Sequence, residues 1–154
     1  MNAPCTRENI VAEARRWLGT PYIHQASLHG VGCDCLGLVR GVWRACIGPE
    51  PEVPPSYSPD WAEASGVENL RDAGRRHFIE IDVDEFEAGD VLLFRWRDNV
   101  PAKHLAIATS KTTMIHAHDG ACVAEVPILG GWRKRIVHAF AFPELQPEAQ
   151  RTDL

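Results

Sequence analysis

The sequence predicts an α+β domain with an antiparallel sheet, because helical patterning is confined to its first half and strand patterning to its second. Two apolar stripes at helical spacing occupy residues 10–18 and 35–46, and five short runs of β-branched and aromatic residues follow between 91 and 142, split by Gly, Pro, Asn and Asp turns. A chain of 154 residues with 45% apolar content can bury a core without disulfides or a structural metal.

Thr6 is the expected N-cap of a first helix whose buried stripe is Ile10, Val11, Ala14, Trp17 and Leu18, and Gly19-Thr20-Pro21 ends it. A glycine-bearing loop through Tyr22, His24, Gln25, Gly30 and Gly32 then reaches Asp34, the expected N-cap of a second helix. Cys35, Leu38, Val39, Val42, Trp43 and Cys46 share one face of that helix, and Gly48-Pro49 stops it. Five prolines between Pro49 and Pro59 make a stiff connector, since proline fits neither a helix interior nor a central strand. It leads to a short helix over Val67 to Arg76. Strands are expected at Val91–Trp96, His104–Thr109, Thr113–His116, Ala121–Val126 and Arg135–Phe142. The reading is one domain over residues 1–143 and a loose polar tail over 144–154, with no repeat and no low-complexity tract.

Sixteen Lys+Arg against twenty-one Asp+Glu leave a net charge of −5. The densest basic run, Arg133-Lys134-Arg135, is too short to track phosphates, so nucleic acid is not an expected partner. Five cysteines are an odd number for a disulfide framework, which suggests a reducing compartment. Met1-Asn2-Ala3-Pro4 shows neither the basic start nor the apolar run of a secretory signal. No apolar run approaches the ~20 residues of a membrane span, so no membrane partner is expected. The expectation is synthesis in the cytoplasm, with any outside role requiring a carrier.

The informative stretch is Gly32-Cys33-Asp34-Cys35-Leu36-Gly37-Leu38-Val39. A cysteine at a helix start meets unpaired backbone N–H groups and the positive end of the helix dipole, which favour thiolate. Such a nucleophile needs a base to take its proton and return it to a leaving amine. His104 opens one strand run and His116 closes the next. In a hairpin this separation sets the two imidazoles side by side, with His104 facing the thiol and His116 fixing its tautomer. Two other readings of the same residues stay open. Cys35 and the histidines are small buried and structural side chains, or Cys33-x-Cys35 and His116-x-His118 ligate zinc, although zinc sites space such pairs more widely.

Five co-linear motifs then resemble the NlpC-type cell-wall cysteine peptidases: Gly19-Thr20-Pro21-Tyr22, the Gly32–Val39 stretch, Glu87-Ala88-Gly89-Asp90-Val91-Leu92-Leu93-Phe94, His104-Leu105-Ala106-Ile107-Ala108, and Met114-Ile115-His116-Ala117. The sequence looks most like the subgroup encoded with phage tails and gene-transfer agents. The resemblance implies a papain-like fold, with the nucleophile-bearing helix packed on a central antiparallel sheet. It implies Cys35 as nucleophile, His104 as general base and acid, and His116 as the orienting third member. It implies that Tyr22 helps the Cys35 N–H hold the oxyanion, and that Asp34 contacts the substrate's amino group or caps the helix. The substrate would be the peptidoglycan stem peptide, cut between D-glutamate and a diamino acid, with no metal or organic cofactor. Tail-tip or hub proteins of a phage-like particle would be partners, and the site of action the periplasm or cell wall of a target cell. Leu36 departs from the family's usual Ser; Cys33 is read as structural over a regulatory disulfide, His24, Gln25 and His29 as solvated loop residues over cleft-lining ones, and His118 as structural over an extension of the site's polar end. The stretch from Cys46 to Ser65, with Tyr57 and Trp61, is read as a cleft wall or a docking surface. The alternative function is a structural tail-tip protein that retains the fold and binds a hub.

Overall fold

A computed structural model describes residues 5–57 and 68–147. Trp61, the last two residues of the proline-rich connector, Val67 of the expected third helix, Met1–Pro4 and the end of the tail from residue 148 lie outside the described residues.

Helix α1 spans Arg7–Arg16. Thr6 caps it as expected, its side chain accepting from the Asn9 N–H at 3.0 Å while the Asn9 side chain accepts from the Thr6 N–H at 3.1 Å. Ile10, Val11, Ala14 and Trp17 are buried, but Leu18 is 42% exposed, because the helix ends before it and the chain turns away from the stripe. Helix α2 spans Cys35–Cys46 and buries Leu38, Val39, Val42 and Trp43. The two helices cross closely where a Cβ on Gly41 would stand 2.1 Å from the Trp17 ring, so only glycine fits there.

Eight strands and two short helices complete the described residues. The strands β1 (Ser27–Leu28) and β2 (Gly32–Cys33) form a ribbon inside what the sequence reads as a loop. Helix α3 spans Asn69–His77. A six-stranded antiparallel sheet follows in the order β3 (Ile79–Ile81), β8 (Ile136–Ala141), β4 (Val91–Phe94), β5 (His104–Ala108), β6 (Thr113–His116) and β7 (Ala124–Pro127). Helix α4, Gly130–Arg133, precedes β8. Strand β3 and helix α4 are not among the expected elements, and Trp96 falls outside β4.

Strand pleat divides the core in two. Val91, Leu93, Leu105, Ile107, Ile115 and Phe140 pack with α1 and α2 on one face. Leu92, Phe94, Ala106, Ala108, Met114 and Ala139 pack on the other with Phe86, Ile128 and Trp132. Both faces are therefore dry, and the central strands read as apolar runs rather than alternation. Among the described residues no helix is long and apolar enough to cross a membrane.

Asp90 ties α1 to the start of β4. Its side chain is wholly buried, accepting from Arg7 Nη1 at 2.5 Å and from the Glu87 N–H at 2.8 Å, while burial pushes its pKa up. Arg7→Ala should lower the unfolding free energy by about 3 kcal/mol in urea titrations, because it strands a buried carboxyl. Removing Glu87, an exposed partner 3.6 Å from Arg7, should change it by less than about 1 kcal/mol.

Candidate active site

The ribbon delivers Asp34 to the start of α2. Its Oδ1 accepts from the Gly37 N–H at 2.7 Å, and Oδ2 accepts from the Gln25 N–H at 2.8 Å and from the Tyr57 hydroxyl. Of the two roles implied for Asp34, the cap is therefore filled, and the other oxygen is held by this chain's own donors. The approach is tight enough that a Cβ on Gly37 would stand 1.9 Å from the Ala26 carbonyl oxygen. Tyr57 thus becomes part of the site. Its carbonyl in turn accepts at 2.5 Å from the Gln25 amide and lies 2.7 Å from His24 Nε2.

Cys35 is the first residue of α2, half-buried, and its Sγ donates to the Lys103 carbonyl at 3.9 Å. The backbone N–H groups of Leu105, Leu36 and Cys35 itself pull its pKa down. Burial pushes harder the other way, joined by the charge of Asp34, and the thiol is raised to about 12. The helix start favours thiolate as expected, but desolvation outweighs it and the resting group is a thiol. Tyr22, bridged through its backbone to Cys33, lines the same small cavity as Cys35, Asp34, Tyr57 and Lys103. Burial, then the charges of Cys35 and Asp34, raise its phenol to about 12, so it remains a donor. Cys33 is fully buried beneath, its thiol also pushed up to about 12. Past Leu36, Leu70 and Leu105 this cavity continues into a groove of about 800 Å³ walled by residues 51–57. Of the two readings of the proline-rich stretch, its described part fits a cleft wall.

The histidines are positioned by the β5–β6 register, in which Ile107 faces Ile115 and Ala108 faces Met114. That register makes His104 and His116 diagonal neighbours on one sheet face, and His104 Nε2 lies 2.9 Å from His116 Nδ1. A tight turn holds the count: the Thr109 N–H donates to the Thr113 carbonyl at 2.9 Å, and the Thr113 hydroxyl meets those of Thr109 and Ser110, each at 2.6 Å. Both imidazoles are buried. Burial, then the neighbouring His116 and His118, holds His104 well below the usual imidazole range, and burial with His118 lowers His116 to about 4. At neutral pH the pair is uncharged and shares one N–H between them.

Two sets of residues therefore stand next to each other. Cys35, Tyr22, Asp34 and Tyr57 form one, His104 and His116 the other, and Lys103 links them, since its carbonyl meets the sulfur and His104 is the next residue. Among the described residues no hydrogen bond joins Cys35 to His104. The imidazole expected to face the thiol lies on the pleat of Ala106 and Ala108, whereas α2 packs on the pleat of Leu105 and Ile107. It turns toward Trp96, Trp132 and Phe94, with ring centroids 5.4, 5.5 and 5.7 Å away. Sequence reasoning missed the two tryptophans. The aromatic character of both segments was visible, but a contact across 36 residues was not. His118 lies 5.8 Å from His104, and His29 sits apart against Trp17 and the Arg16 carbonyl. Among the described residues no three His, Cys, Asp or Glu side chains are grouped to hold a metal ion.

The model of the NlpC/P60 family matches residues 19–141. No curated protein matches the chain in sequence. Among solved structures, the NlpC/p60 domain of the peptidoglycan hydrolase SagA is 24% identical, with a TM-score of 0.65 over 89% of this chain and 99% of that one. An NlpC/P60 family protein from Bacillus cereus ATCC 10987 is 19% identical, with a TM-score of 0.66 over 91% of this chain and 41% of that one. NlpC1 from Trichomonas vaginalis is 17% identical, with a TM-score of 0.60 over 88% and 43%. The chain thus spans nearly the whole of the first and less than half of the other two. The likeness shows the fold, a papain-like combination of helices with an antiparallel sheet.

Proposed function

Because this chain belongs to the NlpC/P60 family, we propose that it is a cysteine peptidase acting on the peptides of bacterial peptidoglycan. The observation that carries the reading is the 2.9 Å contact between His104 Nε2 and His116 Nδ1, one residue from the carbonyl on which the Cys35 thiol rests. With Nε2–H donated to His116, His104 presents an unprotonated Nδ1 as its basic nitrogen. In this reading His116 selects the tautomer of His104.

The reaction requires the sulfur to leave the Lys103 carbonyl and meet that nitrogen as substrate fills the cavity, a tightening common on passing from a free site to a Michaelis complex. Cys35 then passes its proton to His104 and its sulfur bonds to the scissile carbonyl carbon. The oxyanion formed is held by the Tyr22 hydroxyl and the Cys35 N–H. As the C–N bond breaks, the imidazolium gives its proton to the departing amine, and a thioester remains. Water, deprotonated by the same imidazole, adds to the thioester and releases the acid and the thiol.

The scissile bond we propose joins D-glutamate to the diamino acid of the stem peptide. Leu36, where the family usually carries Ser, gives the start of the groove an apolar side chain. We place the enzyme on a phage-like tail, bound to tip or hub proteins and acting in the target cell's wall, with residues 1–143 as its one domain. The test is a mass spectrum of a defined muropeptide after incubation. Two fragments separated at the D-glutamyl bond are expected, and an uncut muropeptide overturns the reading. The resting thiol, raised to about 12 and without a bond to His104, favours a second reading, a tail-tip binding protein without turnover. Turnover separates the two: muropeptide fragments that Cys35→Ala no longer releases support the peptidase, and a muropeptide that the chain retains but leaves intact supports the binder.

A further inference from the structure

We propose that Trp96 and Trp132 are positioning residues that enclose the His104–His116 pair and hold the His104 imidazole in one orientation and one tautomer. The proposal rests on the peptidase reading, since only a reaction gives that orientation a function. Trp96, just past β4, stacks on the His104 ring at 5.4 Å and 29° between planes. Trp132, on α4, lies 5.5 Å from the same ring and presents itself edge-on to His116 at 5.2 Å and 89°. The two indoles also meet each other at 5.5 Å, so they form one wall rather than two separate contacts. Phe94 closes it, 5.4 Å from Trp132 and 5.7 Å from His104.

The wall has its own supports. Arg133 donates to the Lys111 carbonyl at 3.1 Å and lies over the Phe86 ring at 5.4 Å, anchoring α4 to the β5–β6 turn. Arg135 lies over Trp96 at 5.8 Å. An imidazole that turned over about its Cβ–Cγ bond would offer carbon to His116 and lose the 2.9 Å contact. It would have to pass edge-first through the stacked indole, and water that could compete for Nε2 is excluded by the same rings. Among the described residues, the charged or titratable groups in ring contact with this wall and the His104 imidazole are His116 and His118 on the β6 side and Arg135 ahead of β8.

The test uses the whole chain carrying Cys35→Ala, read by NMR of the imidazole nitrogens and their protons, so that it does not depend on turnover. In that chain the N–H shared by His104 and His116 should give a low-field resonance slow to exchange with water. Adding Trp132→Ala should erase it or speed its exchange more than tenfold, and Trp132→Phe should restore it. Trp96→Leu, at a half-buried site outside the strands, should give the same loss should Trp132→Ala fail to fold. In the chain with Cys35 intact, Trp132→Ala should lower kcat about tenfold with KM nearly unchanged. An unaltered resonance in well-folded Trp132→Ala or Trp96→Leu overturns the proposal, as does a Phe variant no better than Ala. A chain that cuts no muropeptide but shows these resonance changes refutes the peptidase reading alone.

Discussion

Cys35→Ala should reduce release of stem-peptide fragments from purified peptidoglycan by about 10⁴-fold or more, the scale on which loss of a nucleophile acts. The same change should leave the fold in place. The hydrogen bond that the thiol donates is a long 3.9 Å contact, and the cap on α2 is made by Asp34 to Gly37, which the substitution does not touch. Alanine is also the best helix former at that position. The midpoint of urea unfolding should therefore shift by the equivalent of about 1 kcal/mol or less. Undiminished release by a well-folded Cys35→Ala chain would remove Cys35 from the chemistry.

Acid should weaken the fold through the histidine pair. His116 is lowered from 6.5 to about 4 and His104 is lowered in the same direction, in each case chiefly by burial. The unfolded chain therefore binds protons between pH 6.5 and about 4 that the folded chain refuses. Stability rises with pH wherever the unfolded state holds more protons, so the contribution is intact above pH 6.5 and drains away as pH falls through that window. For His116 alone the displacement corresponds to about 3 kcal/mol. Urea titrations at pH 7 and pH 4 should show a loss of that order, and His116→Asn should flatten it. Glu50, Glu52, Glu80 and Glu125, whose pKa values are lowered, add their own losses in the carboxylate range, which the variant retains. Equal pH dependence in wild type and His116→Asn would refute the account.

What the sequence disclosed follows the range of the forces involved. The Asp34 cap and the start of α2 at Cys35 are settled within four residues, so they were legible. The approach of His104 to His116 needs only strand alternation and a short turn, and it too could be read. The β1–β2 ribbon has two residues per strand, too few for any period to show. Strand β3 has its first two residues exposed and runs along the sheet edge, so its burial shows no alternation. Helix α4 opens on Gly130-Gly131, which carries no helical signal. The protonation of the Cys35 thiol was only half legible: the pull of the helix start could be read, the weight of burial against it could not. The helix-start N–H groups of Cys35 and Leu36 are local in sequence, but the burial that outweighs them comes from the packing of the whole fold. Which pleat His104 occupies relative to α2 is likewise a matter of packing, and so is the tryptophan wall.

The diagonal placement of His104 and His116 has a consequence for how such chains can diverge. Side chains alternate along a strand, so the pairing depends on the parity of the residues between them. A single inserted or deleted residue in the Thr109–Thr113 turn would carry His116 to the opposite pleat, whatever its composition. An indel in this turn should therefore cost the 2.9 Å histidine contact outright, whereas exchange of a hydroxyl residue should weaken the turn and leave the pairing in place. Residues 51–57, which belong to no strand, carry no such parity. Length variation among related chains should collect along that wall of the groove, where it reshapes what is bound without disturbing the imidazole pair.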